Sequence, residues 1–423
     1  MSYAGRVPVR IRFGQWWTRR THFPREVYVL ALIGFCVAVG FGVLVPVLPV
    51  FARSFGIGNL EAGAVISAFG FLRFLFSPFA ARMLRRFSER VVLSAGVLIV
   101  AASSAAAGLA TSYPQLLIMR GLGGIGSAMF SVSAMTLLLR SVTAEQRGRA
   151  SGTMQSGFLL GGMAGPALGS LLARISLTAP FFFYAVTLAV AGLVGALLLR
   201  PPAHDPLSRA TGSATVRSAL ADAGYRAACM ANFSQGWNSF GVRSSLVPIL
   251  VVESLHRSPA DAGIAFAIAA VAQTLALAPA GRFVDTTGRR PALMLGGVLC
   301  GVSIAATPWA TSLTWLTVAM VVYGLGASLL GTAPAAAVGD VVGPRGGQPV
   351  AVFSMMSDIG GILGPLVAGL LADVVSMQLA FAVGAGLAIL ATLMASVMAP
   401  GVPHRDGETP DPVAGPEPDP PRT

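Results

Sequence analysis

The chain has 423 residues, 54% of them hydrophobic and 11% charged, with a mean hydropathy of +0.73 and a net charge of +12. A soluble domain carries roughly 25% charged residues, and no core in a chain of this size absorbs the excess apolar surface, so the composition excludes a water-soluble globular protein and points to a bilayer. The three cysteines, Cys36, Cys229 and Cys300, stand in apolar runs and imply no disulfide framework. The basic surplus is spread over short turns, which argues against nucleic acid as a partner.

Residues 1–26 form a basic segment carrying Arg6, Arg10, Arg12, Arg19, Arg20 and Arg25. The apolar run that follows is too long for the core of a cleavable signal, so it reads as a spanning helix. A helix needs roughly 20 residues to cross about 30 Å of hydrocarbon. On that ruler spans are predicted at 27–50, 61–81, 91–110, 115–139, 150–173, 179–199, 227–251, 261–281, 291–309, 313–338, 349–371 and 378–398, an all-α membrane protein of twelve helices. The stretch 201–226 is a long linker dividing a six-helix half, 27–200, from a second one, 227–398. The Pro-rich and acidic tail, 399–423, reads as disordered and cytoplasmic.

Arginine placement orients the chain. With the N-terminus inside, the cytoplasmic turns hold Arg82, Arg85, Arg86 and Arg90; Arg140, Arg147 and Arg149; Arg200, Arg209, Arg217 and Arg226; and Arg282, Arg289 and Arg290. The opposite loops keep only Arg53, Arg174 and Arg257, as the positive-inside rule requires. The expectation is a multi-pass protein of the cell's inner membrane with both termini cytoplasmic.

The halves repeat each other at an offset of about 200 residues. Ala62-Gly63 recurs as Ala262-Gly263, and Ser88-Glu89-Arg90 aligns with Gly288-Arg289-Arg290. The run from Arg120 to Gly126 aligns with Met320 to Gly326, and GGMAGP (161–166) returns as GGILGP (360–365), one residue short of the earlier offset. Two parallel six-helix repeats with a cavity between them is the architecture of alternating-access transporters.

These motifs resemble the major facilitator superfamily. The turn Gly281-Arg-Phe-Val-Asp285-Thr-Thr-Gly288-Arg289-Arg290 is similar to the signature loop between its helices 2 and 3 and between 8 and 9. Arg120 with Gly124 and Gly126 resembles its helix 4 motif, with Gly123 where a glutamine is usual. Gly152, Gly161, Gly165, Pro166 and Gly169 resemble the helix 5 signature of the drug:proton antiporter branch, echoed at Gly360, Gly364, Pro365 and Gly369. The first copy of the loop departs from the pattern, with Ala81, Arg85, Ser88 and Glu89 at motif positions, and keeps Arg86 and Arg90. What the resemblance implies is an exporter, with Arg120 serving proton coupling or gating.

Asp285 near a helix start and beside Arg289 and Arg290 is suited to a latch made in one state and broken in another, with Gly281 at a close helix approach and Gly288 in a tight turn. Charges inside spans are expensive and face a cavity or an opposite charge; they are Arg73, Arg120, Arg243 and Asp358. Asp358 is the one carboxylate inside a span and therefore the natural proton carrier; the alternative is a structural ion pair with Arg243. Cavity-lining candidates are Arg73, Arg243, Phe41, Phe69, Asn232, Gln235, Trp237, Asn238, Gln273 and Tyr323, a set suited to a mainly apolar solute with some hydrogen-bonding groups. No metal cluster, nucleotide-binding lysine or hydrolytic triad is present in the pattern, so neither cofactor nor enzyme activity is expected. The expected partners are a small-molecule substrate, protons and the lipid bilayer, and the expected state is a monomer. Three readings stay open: an exporter of small hydrophobic or amphipathic compounds, an importer of a nutrient or metabolite with the same fold, and a non-transporting membrane sensor or scaffold.

Overall fold

The computed structural model describes residues 23–143, 146–200, 215–342 and 347–398. The basic segment before Phe23, most of the linker and the acidic tail, each read above from composition, lie outside the described residues.

The described residues are helical throughout. The first half holds α1 (Arg25–Leu44), the short α2 (Leu48–Arg53), α3 (Asn59–Met83), α4 (Glu89–Gly108), α5 (Tyr113–Ser141), α6 (Arg147–Ala173) and α7 (Ala179–Leu198). After a turn of helix, α8 (Val216–Ala221), the second half holds α9 (Ala223–Gly236), α10 (Leu246–Glu253), α11 (Pro259–Thr287), α12 (Arg289–Ala306), α13 (Leu313–Val342), α14 (Gly347–Val374) and α15 (Met377–Ser396). Eleven of these are long and apolar enough to cross a membrane. The twelfth span is built from pieces: α9, a π-helical turn over Trp237–Arg243, and α10.

Both interrupted spans have a chemical cause. Pro46 and Pro49 remove backbone donors, and the first span breaks between α1 and α2. In the seventh span the Ser244 amide and hydroxyl both donate to the Ser239 carbonyl, at 3.1 and 2.7 Å, and the Ser245 hydroxyl donates to Gly241 at 2.7 Å. The amide bond spans five residues, as a π turn requires, and the two hydroxyls add further bonds to carbonyls of the same turn. Elsewhere α5, α11 and α13 run past the predicted ends to Ser141, Thr287 and Val342, while α4, α7 and α15 stop one or two residues short.

The two large clusters of buried hydrophobic residues divide by half, one made almost wholly of the first and one wholly of the second, and a small third cluster, Ala80, Val92 and Met129, lies in the first half. Ile249 joins the first cluster and Val45 packs on the second, both beside the helix breaks. Large apolar side chains such as Val186, Leu197 and Leu393 face outward, as a lipid-facing surface demands.

Glycine brings the helices close. Gly161, Gly165 and Gly169 of α6 lie against the α1 backbone at Phe35, Gly42 and Val43. Gly360 and Gly364 of α14 lie in the same way against Phe233, Trp237 and Gly241. The Gly/Pro faces thus pack inside each half. Only the proline ends turn to the other half: the Pro166 carbonyl meets Gly263, the Pro365 carbonyl meets Gly63, and Gly369 meets Asn59 and Leu60. Gly369 is off the four-residue spacing because it serves this second contact. Gly152 has open space around it and takes no part.

Candidate functional site between the halves

Among the described residues, the hydrogen bonds and ion pairs that join the halves all lie toward one end, distal to the arginine-rich turns. Arg53 donates Nε and Nη2 to Glu253 Oε1 at 2.9 and 2.8 Å. Asp373 accepts from the Asn59 amide and side chain at 3.0 and 2.7 Å, and from the Leu60 amide at 2.8 Å. Two turns further along α3, the Ser67 hydroxyl donates to the Ile362 carbonyl at 2.7 Å, and Ile362 also meets Gly70. Below that level the facing helices become open: most of α3 from Phe71, α11 from Val271 and α14 up to Ile359 is exposed or half-buried.

The charges stand where the halves part. Asp358 lies one helical turn before Ile362 on α14, and Arg73 one turn after Gly70 on α3, so the register carries both onto the same seam. Asp358 is exposed, makes no hydrogen bond or ion pair among the described residues, and lies within electrostatic reach of Arg73. The cation facing Asp358 is therefore Arg73. The alternative pairing with Arg243 is not made: that guanidinium lies over the Phe266 and Tyr323 rings and enters no ion pair among the described residues.

Arg120 is buried in the first half at 2% exposure, its guanidinium 4.8 Å from the Phe69 ring centre. Its Nε and Nη1 are buried without a hydrogen-bond partner. Close passage of α5 over α3 puts it there, since Gly121 meets Leu72 and Gly124 meets the Phe69 and Arg73 backbone. In the second half Arg243 lies over two rings, Phe266 at 5.6 Å and Tyr323 at 5.4 Å. The Tyr323 hydroxyl is 3.1 Å from the Ser239 hydroxyl and donates to Gln235 at 3.3 Å. Between the two arginines runs an aromatic bridge across the junction: Phe69 is 6.4 Å from Phe41, and Phe41 is 6.2 Å from Phe240.

The remaining candidates divide. Gln235 and Tyr323 belong to this network, and Gln273 adjoins it where α11 meets Gly324. Asn232 donates to the Phe353 carbonyl at 2.7 Å and ties α9 to α14. Asn238 is no lining residue: it is 1% exposed and donates to Ser234 and to Gly384 of α15, away from the seam. Trp237 is buried in the second core and packs on Phe233 at 6.0 Å.

At the arginine-rich end the loop charges stay within their own halves. Gly288 has a φ of 105° and makes the tight turn that only glycine accepts readily. Gly281 sits inside α11 with open space around it, so the expected close approach there is not made. Arg289 bonds Asp340 at 2.9 Å and lies 3.8 Å from the exposed Asp285, while Arg290 donates to the Met398 carbonyl at 3.2 Å. Arg86 and Arg90 enter no ion pair among the described residues.

One pair escaped the sequence reading. Glu89, taken as a lost motif arginine, pairs with Arg140. Glu89 and Arg140 are the repeat equivalents of Arg289 and Asp340, so the same bridge is present in both halves with its charges exchanged. Comparing Arg140 with Asp340 at the repeat offset would have found it.

Two helical repeats, closed at one end and open at the other around a seam of embedded charges, define a transporter-type membrane protein. The family model for the Major Facilitator Superfamily matches residues 30–230 and 228–420, and the chain belongs to that superfamily. Multidrug resistance protein 1 of Bacillus subtilis (strain 168) is 24% identical over 347 residues, covering 80% of this chain and 88% of the relative. Multidrug resistance protein 2 of the same strain is 26% identical over 363 residues, covering 82% and 89%. Among solved structures, the inward-facing, occupied form of a bacterial homolog of the human lysosomal transporter Spinster superposes with a TM-score of 0.72 at 17% identity, covering 88% of this chain and 95% of that one. The nucleoside transporter NupG gives 0.71 at 16%, covering 88% and 98%.

Proposed function

We propose that the protein is a secondary transporter that exports small hydrophobic or amphipathic compounds across the cytoplasmic membrane in exchange for protons, by alternating access. The observation that carries this reading is the seam itself. The halves are locked at the distal end and separated at the arginine-rich end, and Asp358 and Arg73 face each other where the two regimes meet. With arginine-rich turns inside, the state described is open to the cytoplasm, as an exporter's loading state must be. Asp358 is proposed as the proton carrier: protonation removes its attraction to Arg73 and biases the two halves toward a different packing. The multidrug relatives support export, and Arg120, matching the family's helix 4 arginine, is proposed to stabilise charge movement nearby.

The test is transport by the purified protein in proteoliposomes, with and without a pH gradient, for the wild type and Asp358→Asn. Gradient-driven accumulation in the wild type, with gradient-independent exchange surviving in the variant, is the expected result. Accumulation that ignores the gradient and is unchanged in Asp358→Asn removes the coupling role. Movement of substrate in the same direction as protons makes the protein an importer.

A further inference from the structure

Arg243 owes its place to an insertion. Gly42 packs on Gly165 and Gly241 packs on Gly364, equivalent contacts one residue short of the 200-residue offset. Past the π-helical turn the equivalent pair is Arg53 and Glu253, at the full offset of 200. The seventh span therefore holds one residue more than the first, taken up in the turn Trp237–Arg243. A π turn is a local defect in helix geometry found frequently at functional sites. Here its product is to swing Arg243 over Phe266 and Tyr323.

The two rings lie 5.6 and 5.4 Å from the guanidinium carbon and supply no hydrogen-bond acceptor to its nitrogens. Ring faces attract a cation but accept no hydrogen bond in the guanidinium plane. None of the Arg243 nitrogens donates a hydrogen bond among the described residues, and Nε is buried without a partner. No described carboxylate forms an ion pair with it. The embedded charges as a group are unbalanced: Arg73, Arg120 and Arg243 stand against Asp358, which faces Arg73. A cation inside a membrane protein whose nitrogens have no partner calls for a counter-charge from outside the chain.

We infer that Arg243 docks the acidic group of an amphipathic organic anion, whose apolar body lies along Phe240, Phe41 and Phe69. Phe240 lies in the same π-helical turn as Arg243 and carries the apolar bridge from Phe41 to this span. The Tyr323 hydroxyl and Gln235 supply neutral hydrogen-bonding groups beside it. The substrate class is thereby organic acids with an aromatic or aliphatic body, in preference to lipophilic cations. This inference rests on the reading of the seam as a transport site.

Three probes sharing one fluorophore separate the charge from the body: dansylglycine (anionic), dansylamide (neutral) and dansylcadaverine (cationic). Each is titrated by fluorescence against the full-length protein in phosphatidylcholine nanodiscs, with empty nanodiscs subtracted. The expected order places dansylglycine about tenfold tighter than dansylamide, a difference of about 1.4 kcal/mol, with dansylcadaverine weakest. Arg243→Gln removes the advantage of dansylglycine and leaves dansylamide within about twofold; Arg243→Lys keeps part of it, since charge remains while the planar fork is lost. Gln235→Glu leaves Arg243 in place and supplies an internal counter-charge, so it also removes the advantage, even where Arg243→Gln fails to fold. A wild type that binds dansylglycine no better than dansylamide, or a Gln235→Glu protein that keeps the full preference, overturns the inference. Proteoliposomes report separately: an anion preference in binding with no probe transported refutes the transport reading alone.

Discussion

Asp373 caps a helix that belongs to the other half. The N-cap of α3 is Gly58, which has no side chain to offer, and the first amides of the helix donate instead to the Asp373 carboxylate of α14. The equivalent helix of the second half, α11, is capped by its own residues, Ser258 and Asp261, in a capping box. Opening the distal end must therefore uncap α3, and the cap is a term in the conformational equilibrium. Removing a capping side chain costs about 1 kcal/mol, and a carboxylate at a helix N-terminus adds roughly 0.3–1 kcal/mol. The side-chain bond from Asn59 adds a further fraction, so Asp373→Ala is expected to weaken the closed distal end by about 1–3 kcal/mol. That moves the closed-to-open ratio roughly 5- to 150-fold. Spin labels at Ile175 and Val375, which are 77% and 61% exposed at the distal ends of α6 and α14, report the separation by pulsed dipolar spectroscopy in a cysteine-free background. A second, longer distance is expected to become populated in Asp373→Ala, and to a smaller extent in Asn59→Ala. Arg53→Ala, which removes a partly exposed ion pair contributing about 0–1 kcal/mol, shifts it less. A distance distribution in Asp373→Ala indistinguishable from the wild type refutes the cap as a gate.

Other expected outcomes follow from the same geometry. Glu89→Arg places two arginines together and lowers thermal stability in detergent, while Glu89→Arg with Arg140→Asp copies the bridge of the second half and restores most of the loss; a double variant no better than the single one contradicts the exchanged-charge bridge. Gly161→Ala puts a methyl group 2.5 Å from the Phe35 carbonyl oxygen, and such overpacking costs about 1–3 kcal/mol. Gly152→Ala meets nothing and gains helix propensity, up to about 1 kcal/mol, so the two variants should move the melting temperature in opposite directions. Arg73→Asp with Asp358→Arg keeps the facing charges but exchanges them, and substrate exchange without a gradient should recover relative to either single variant; no recovery separates the two residues.

The helical architecture was legible because it rests on composition and length alone. Lipid-facing segments cannot hide their apolar runs, and arginine marks the turns between them. Asp358 was legible for the same reason, being a charge that the surroundings do not tolerate without cause. Its partner was not, since whether Arg73 or Arg243 faces it depends on how far down the seam the halves stay in contact. That register is fixed by Gly63, Ser67 and Gly70 against Pro365 and Ile362, and no span boundary drawn from hydropathy carries it. The π turn left only a faint trace, a repeat offset that changes by one residue between Gly241 and Glu253.

Duplication explains why the functional charges had to diverge. A residue on the axis relating two repeats meets its own copy, so an arginine kept in both halves would face an arginine. Arg53 and Glu253 are such a pair, at 2.8 Å and 200 residues apart, and they attract only because one of them changed sign. Phe41 and Phe240, one residue short of that offset, meet as rings, where identity carries no penalty. Off the axis the constraint is looser, and Glu89–Arg140 against Arg289–Asp340 shows a bridge inverted without loss of contact. Asp358, with Leu159 at the equivalent place, and Arg243, on an inserted residue, have no counterparts in the first half. The second half has thus acquired both an acid and a cation that the symmetric scaffold does not require, and those are the two residues to which coupling and recognition are assigned.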